Sequence, residues 1–403
     1  MTFPQDNTAF EIVFGRIESA TLYEPWRPFD HRVIEFLSSL SGHIMSNHAA
    51  RLHPDLMTFG FWCRHSQLTS LQSQQSLLHT KIGRGVSFHI PPSNVPLNVA
   101  YSLAVGLLSG NTCIVRLPAP SLALDGFLES LHSLAAKGTH DSVTRRIALV
   151  RFGHDDEVTS EFSMIADVRV IWGGDSTVRH IRSLPTKPRS VDISFADRVS
   201  LALIRSEAIA NCSDQNLETV CTRFVADSLT FDQNACSSPK LVVWHGKDAV
   251  QTDLAAIRFW KKIDEVVNSS ISQEPVKVMG RFTELCELIA TTDVVSSVQP
   301  LGLPIVRIQL QEASGWHISS RLRFGTFAET SILELSDLVS LLNERVQTIS
   351  YFGYEPAELR DSLTEQMLGQ VDRIVPIGSA LDFDLNWDGF SIIEMMTRSV
   401  RLR

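Results

Sequence analysis

Residues 85–118 read "GVSFHIPPSNVPLNVAYSLAVGLLSGNTCIVRLP", and the way this stretch folds decides the class of the whole chain. "VSFHI" is a short apolar run rich in residues that favour strands, and it stops at the adjacent prolines Pro91 and Pro92. From about Leu97 to Leu108 the apolar residues suit a buried helix, and Gly110–Asn111 turns the chain into a second strand, "TCIVRL". A strand, a helix and a second strand in this order form a parallel unit. The pattern then continues, with helix "SLALDGFLESLHSLAAKG", strand "RRIALVRF", helix "DDEVTSEFSMIA", strand "DVRVIWGG", helix "DSTVRHIRSL" and strand "SVDISF". Such alternation predicts a doubly wound α/β sheet, which binds ligands beyond the carboxyl ends of its strands. "IPPSN", "VRLPAPS" and "VIWGGDS" all fall at such ends. No G-x-G-x-x-G follows any of these strands, so the usual dinucleotide fingerprint is absent.

Upstream, residues 1–60 read as a helical segment, with Val33, Ile34, Phe36, Leu37, Leu40 and Ile44 on one stripe. Downstream, "SDQNLETVCTRFVADSLTF" is a helix with Ser213 as N-cap and Leu217, Val220, Cys221, Phe224 and Val225 on its buried side. A strand, "KLVVWH", follows, then further α/β sequence. The last motif, "NWDGFSIIEMMTRSVRLR", is a helix running into a short strand. The domains expected are residues 61–198, residues 199–380, and a segment 381–403 that returns to the first domain or joins an oligomer interface.

Composition narrows the function. At 44% hydrophobic and 20% charged residues the chain is an ordinary globular protein. A net charge of −9 and dispersed arginines argue against a nucleic-acid partner. The longest apolar stretch, "VPLNVAYSLAVGLL", is too short and too interrupted to span a membrane. Six cysteines without regular spacing, and an N-terminal stretch unlike a signal peptide, point to a reducing cytoplasm. His43, His48 and His53 are five residues apart, which turns them off a common helical face, so no metal site is expected.

Two residues carry candidate chemistry. Cys236 lies in "FDQNACSSPK", a polar, turn-like loop between the Ser213 helix and the strand, as suits a thiol that meets a substrate. Asn94, at a strand end between prolines, can aim its amide at an oxyanion.

The 85–118 stretch, "ADVRVIWGGDSTVRHIRSLP" and "DQNACSSPKLVVW" together resemble, in order and spacing, the acyl-CoA reductases of the LuxC family. These are the fatty-acid reductases of bacterial luminescence and their relatives, within the aldehyde dehydrogenase superfamily. "FWCRHSQL", "VQTISYFGYE" and "VDRIVPIGSALDFDLNWDGFSIIE" look like the same family, so the resemblance runs from about Phe61 onward. It implies an aldehyde dehydrogenase-like α/β fold, with a Rossmann-like cofactor domain, a second α/β catalytic domain and a small oligomerisation element. By position, Cys236 matches the family nucleophile and Asn94 its oxyanion amide. Pro92, Gly173 and Gly174 match cofactor contacts, and Arg116 stands where a cofactor-binding lysine is usual. The implied reaction is reduction of an acyl-CoA or acyl-carrier-protein thioester to an aldehyde by a homo-oligomer, through an acyl-cysteine.

This sequence departs from the superfamily at two positions. Phe195 stands where acid-forming relatives carry a water-activating glutamate, and Leu322 replaces the glutamate of the Glu–x–Phe–Gly motif. Ala119 replaces a glutamate that NAD-preferring relatives use on the ribose, which favours NADPH over NADH. Cofactor-independent acyl transfer or thioester hydrolysis on the same cysteine, and a noncatalytic scaffold role, are the competing readings.

Overall fold

The computed structural model describes residues 9–401, apart from 23, 77, 271–273, 294, 301–304 and 311–321. The chain divides into two compact units, residues 1–196 with 383–403 and residues 197–382.

The first unit is built on β1 (Glu11–Gly15), β2 (Lys81–Gly83), β3 (Val86–Ile90), β4 (Thr112–Leu117), β5 (Ile147–Arg151), β6 (Val168–Trp172) and β7 (Val191–Phe195). Its main sheet has the order β1-β5-β4-β3-β6-β7, and β3 to β7 are all parallel. Strands β3 and β6 are buried along their whole length, the mark of a parallel sheet covered on both faces. Local signals set the boundaries. Ser121 caps the helix Leu122–Ala135, Asp155 caps Asp156–Ile165, and Gly110 turns at φ +80°, where a Cβ would lie 2.1 Å from the Trp26 carbonyl oxygen. His89, fully buried in β3, is held between the Ser102 and Ser87 hydroxyls at 2.7 and 2.8 Å, and burial pushes its pKa down to about 3.

The N-terminal segment is not all helix. β1 pairs antiparallel with β5 at the sheet edge. The run "EIVF" is too short to show a period, and its strand state comes from the edge that β5 offers.

The second unit contains β8 (Val199–Arg205), β9 (Pro239–His245), β10 (Val295–Pro300), β11 (Val306–Leu310), β12 (Thr326–Ile332), β13 (Val346–Phe352) and β14 (Arg373–Pro376). They form one sheet in the order β10-β11-β12-β9-β8-β13-β14, antiparallel only at β10. The helices Asp214–Leu229 and Ala249–Ser270 cover one face through Phe224, Phe259 and Trp260. Leu288, Leu338, Leu341, Leu359 and Met367 cover the other. Ser213 caps the first of these helices, and Cys221 is fully buried within it.

Residues 383–403 complete the first unit. Phe383 packs on Trp62 and Tyr101, and its carbonyl accepts the Trp62 indole N–H at 3.0 Å. Phe390 stacks on Phe195, Asn111 donates to the Met396 carbonyl, and Thr397–Ser399 pairs antiparallel with β2. Among the described residues no helix is long and apolar enough to cross a membrane.

Candidate active site

In the first unit the expected cofactor residues gather at one edge. The connections run from β3 outward to β4 and β5, then return to β6 on the other side of β3, so the order reverses between β3 and β6. Such a switch point opens a crevice at the carboxyl ends of the strands. Pro92 and Asn94 follow β3, Arg116 lies at the end of β4, and Gly173 and Gly174 follow β6. Asn94 is exposed, while Pro92, Gly173 and Gly174 are half-buried.

The turn after β6 is closely packed on the helix that follows it. A Cβ on Gly173 would come within 3.1 Å of Thr177, and Gly174 is the N-cap of the helix Asp175–Ser183, whose first N–H groups face outward. Arg116 donates to the carbonyls of Gly153 at 2.8 Å and Phe152 at 3.4 Å, which fixes a cation at this edge. Burial lowers its pKa from the usual arginine range without discharging it. The edge thus combines a helix N-terminus with a fixed cation. Phe195 ends β7 beside it, stacked on Trp172 at 3.6 Å, and its carbonyl accepts the Gly173 N–H.

In the second unit Cys236 occupies a different kind of place. It precedes β9, so it lies at the amino ends of the strands, contrary to the carboxyl-end rule that located the first set. The loop's polar residues also differ from the expectation that they face a substrate. Gln233 is fully buried, and its side chain accepts from Gly325 N and Thr326 N and donates to the Pro239 and Thr326 carbonyls. Asn234 donates to the Phe231 carbonyl, and the Ser238 hydroxyl donates to the Asp227 carbonyl at 2.7 Å. These bonds hold Asp232 and Gln233 at φ +53° and +59°, a left-handed conformation that only a well-tied loop sustains. Cys236 itself stays half-exposed.

Three strands reach toward Cys236. From β8, the Ser200 hydroxyl donates to the Cys236 carbonyl at 2.7 Å. From β13, the Gln347 amide donates to Cys236 Sγ at 3.1 Å. From β9, Lys240 brings a buried ammonium that donates to the Leu322 carbonyl at 2.9 Å and lies within electrostatic range of Cys236. Burial, with Arg323 nearby, lowers the Lys240 pKa to about 8, so it is still mostly charged at neutral pH. Leu322, in the place of the expected glutamate, is buried and offers this site only its carbonyl. His245 sits at the far end of β9, bonded to the Tyr354 hydroxyl at 2.7 Å, and is no base for Cys236.

Residues 63–303, more than half of the chain, match the family model described as acyl-CoA reductase (LuxC). The chain belongs to the LuxC family. The long-chain acyl-protein thioester reductase of Aliivibrio fischeri is 26% identical to this LuxC-family chain over 303 residues, covering 73% of this chain and 58% of that protein. The protein of the same name from Vibrio harveyi is 24% identical over 308 residues, covering 73% and 59%. The chain thus matches under two thirds of the length of these curated relatives. Among solved structures, the NAD-dependent aldehyde dehydrogenase from Sinorhizobium meliloti superposes with a TM-score of 0.66 at 10% identity, covering 94% of this chain and 83% of that one. The Escherichia coli lactaldehyde dehydrogenase gives 0.63 at 12%, covering 96% and 88%. At such identities they show the fold alone, and that fold is the aldehyde dehydrogenase one.

Two residues of this LuxC-family site escaped the sequence reading. Lys240 looks like the polar start of an apolar strand, and Gln347 lies inside the "VQTISYFGYE" motif with no role attached. The polar residues Gln347, Thr348 and Ser350 among the apolar ones of this strand are the signal that was there to read.

Proposed function

We propose that this protein reduces an acyl thioester, carried by CoA or a carrier protein, to an aldehyde through an acyl group on Cys236. The observation that carries this reading is a cysteine held half-exposed in an over-determined loop, with an amide donor on its sulfur and a buried ammonium in electrostatic range, in a chain of the LuxC family. Such a field favours the thiolate, the nucleophilic form of cysteine. The thiolate attacks the thioester carbonyl carbon, a new C–S bond forms, and the donor thiol leaves. Asn94 is assigned to the oxyanion, with the Cys236 backbone N–H as second donor.

Gly173, Gly174, Pro92 and Arg116 are assigned to a reduced nicotinamide dinucleotide, which they would hold at the carboxyl ends of β3, β4 and β6. When bound, that group supplies hydride to the acyl carbon. Phe195 is packed against Trp172 and Phe390 and offers no proton acceptor. With phenylalanine at this position the chain lacks the carboxylate that acid-forming relatives use to activate water, which favours survival of the acyl-cysteine.

The test is to withhold the hydride donor. An acyl-CoA of acceptable length given alone leaves one acyl increment, seen by intact-protein mass spectrometry and mapped to Cys236, that hydrolyses slowly. Adding NADPH removes it as aldehyde forms. Rapid release of free acid with no adduct identifies a thioesterase instead.

Cofactor choice is a separate prediction. Arg116 supplies a cation, and the uncharged, exposed Ala119 places no carboxylate against a 2′-phosphate. We expect kcat/KM for NADPH to exceed that for NADH by about tenfold, as one charge-assisted contact allows. A preference for NADH overturns this assignment.

A further inference from the structure

We propose that Gln347 is a catalytic residue whose side-chain N–H donor holds Cys236 as a thiolate, both when Sγ attacks and when it leaves again. The inference rests on the reading of Cys236 as the nucleophile.

The backbone is built to deliver this contact. Ser200 in β8 is flanked by an irregularity on each side. Between Val346 and Ile349, β13 carries one more residue than the β8 span Val199–Leu201 that it faces. Between Pro239 and Leu241, β9 likewise carries an extra residue against Ser200–Leu201. A β-bulge redirects a side chain from the direction its strand would give it. The first bulge contains Gln347 and Thr348, and the second contains Lys240. Gln347, which reaches Cys236 Sγ, and Lys240, whose charge acts on Cys236, are therefore among the residues the bulges release from regular pairing.

The amide's orientation is also fixed. The Thr348 hydroxyl donates to Gln347 Oε1 at 3.3 Å, so the oxygen is taken and the NH2 end faces sulfur. Thr348 N donates to Ser200 Oγ at 3.1 Å, and Ser200 Oγ donates to the Cys236 carbonyl. Cys236 is thus gripped at its carbonyl and at Sγ by groups that are bonded to one another. Gln347 is fully buried, so its amide keeps its position without help from bulk water.

The chemistry follows from the acceptor. A neutral thiol is a poor hydrogen-bond acceptor and a thiolate a good one, so an N–H aimed at Sγ favours loss of the thiol proton to solvent. Gln347 transfers no proton. It stabilises Sγ when charged and gains little from Sγ in a thioester, which favours both ends of the catalytic cycle. The charged groups that act here include Lys240 in the following strand β9 and, around Lys240, Arg323, Glu284 and Asp197. Gln347 adds a neutral donor from a second strand, on β13.

The experiment is the pH dependence of Cys236 alkylation by iodoacetamide, followed at the peptide level because Cys286 is exposed and also reacts. Gln347→Met keeps the reach without the donor, and Gln347→Glu keeps the shape but turns an acceptor toward sulfur. The alkylation midpoint is expected to rise by about one pH unit in the first and at least as far in the second. Acylation at neutral pH should fall about tenfold and recover above the new midpoint, as a merely structural lesion would not. An unmoved midpoint in folded Gln347→Met overturns the proposal. If neither variant folds, Thr348→Val removes only the hydroxyl that orients the amide, and no upward shift there overturns it equally. Alkylation needs no acyl substrate. If the wild-type protein makes no aldehyde while the variants still show the shift, the reductase reading fails and the Gln347 assignment stands.

Discussion

Cys236→Ala is expected to reduce aldehyde formation to background and to remove the acyl adduct, while the thermal melting curve stays where it was. The loop is held through Gln233, Asn234, Ser238 and the Cys236 carbonyl, none of which needs the sulfur. Removing Sγ deletes the nucleophile and leaves those bonds in place. Cys221→Ala is the control. That thiol is fully buried among Phe224, Phe259 and their neighbours, so its loss should cost about 1–2 kcal/mol of stability and little activity. Aldehyde production by folded Cys236→Ala at near wild-type rate would end the mechanism.

Asn94→Ala is expected to lower kcat by about a hundredfold, the scale of one oxyanion-hole donor. Its side chain is exposed at the carboxyl end of β3, in a loop where Pro91, Pro92 and Pro96 limit the backbone. Removing it should therefore subtract a donor without unfolding anything. Steady-state kinetics with a saturating thioester separates the possibilities. A change confined to KM would show that Asn94 positions substrate and takes no share of the oxyanion.

The first unit was legible in the sequence because its signals are local. β3 ends where Pro91 begins, Gly110 turns the chain where the helix ends, and the apolar runs of β3 to β6 are strands of a parallel sheet, with β3 and β6 buried along their whole length. Cys236 and Asn94 stood out as candidates because loop chemistry and family spacing agree. The rest depends on contacts far apart in sequence. β1 becomes a strand through β5, more than a hundred residues later. Gln347 meets a sulfur 111 residues earlier, and only because β13 bulges, a feature of pairing register that no single strand announces. Lys240 is invisible for the same reason. Its chain position says strand start, while its burial and charge arise from how β8, β9 and the Leu322 segment meet. The polar loop around Cys236 was noticed for a partly mistaken reason: Gln233 and Ser238 serve the backbone more than any ligand.

The return of residues 383–403 to the first unit has a consequence for how the protein is made. Translation produces the first 196 residues, then all of the second unit, and only afterwards the segment that completes the first. At ordinary synthesis rates that delay is roughly 10–40 s. During it the Trp62 indole N–H lacks the Phe383 carbonyl, one face of Phe195 lacks Phe390, and the edge of β2 is without its antiparallel partner. The second unit, continuous in sequence, can close on the ribosome as soon as it emerges. The unit begun first is therefore finished last, and a ribosome stalled before Phe383 releases a nascent chain with an aromatic surface and a strand edge open to chaperones or to aggregation.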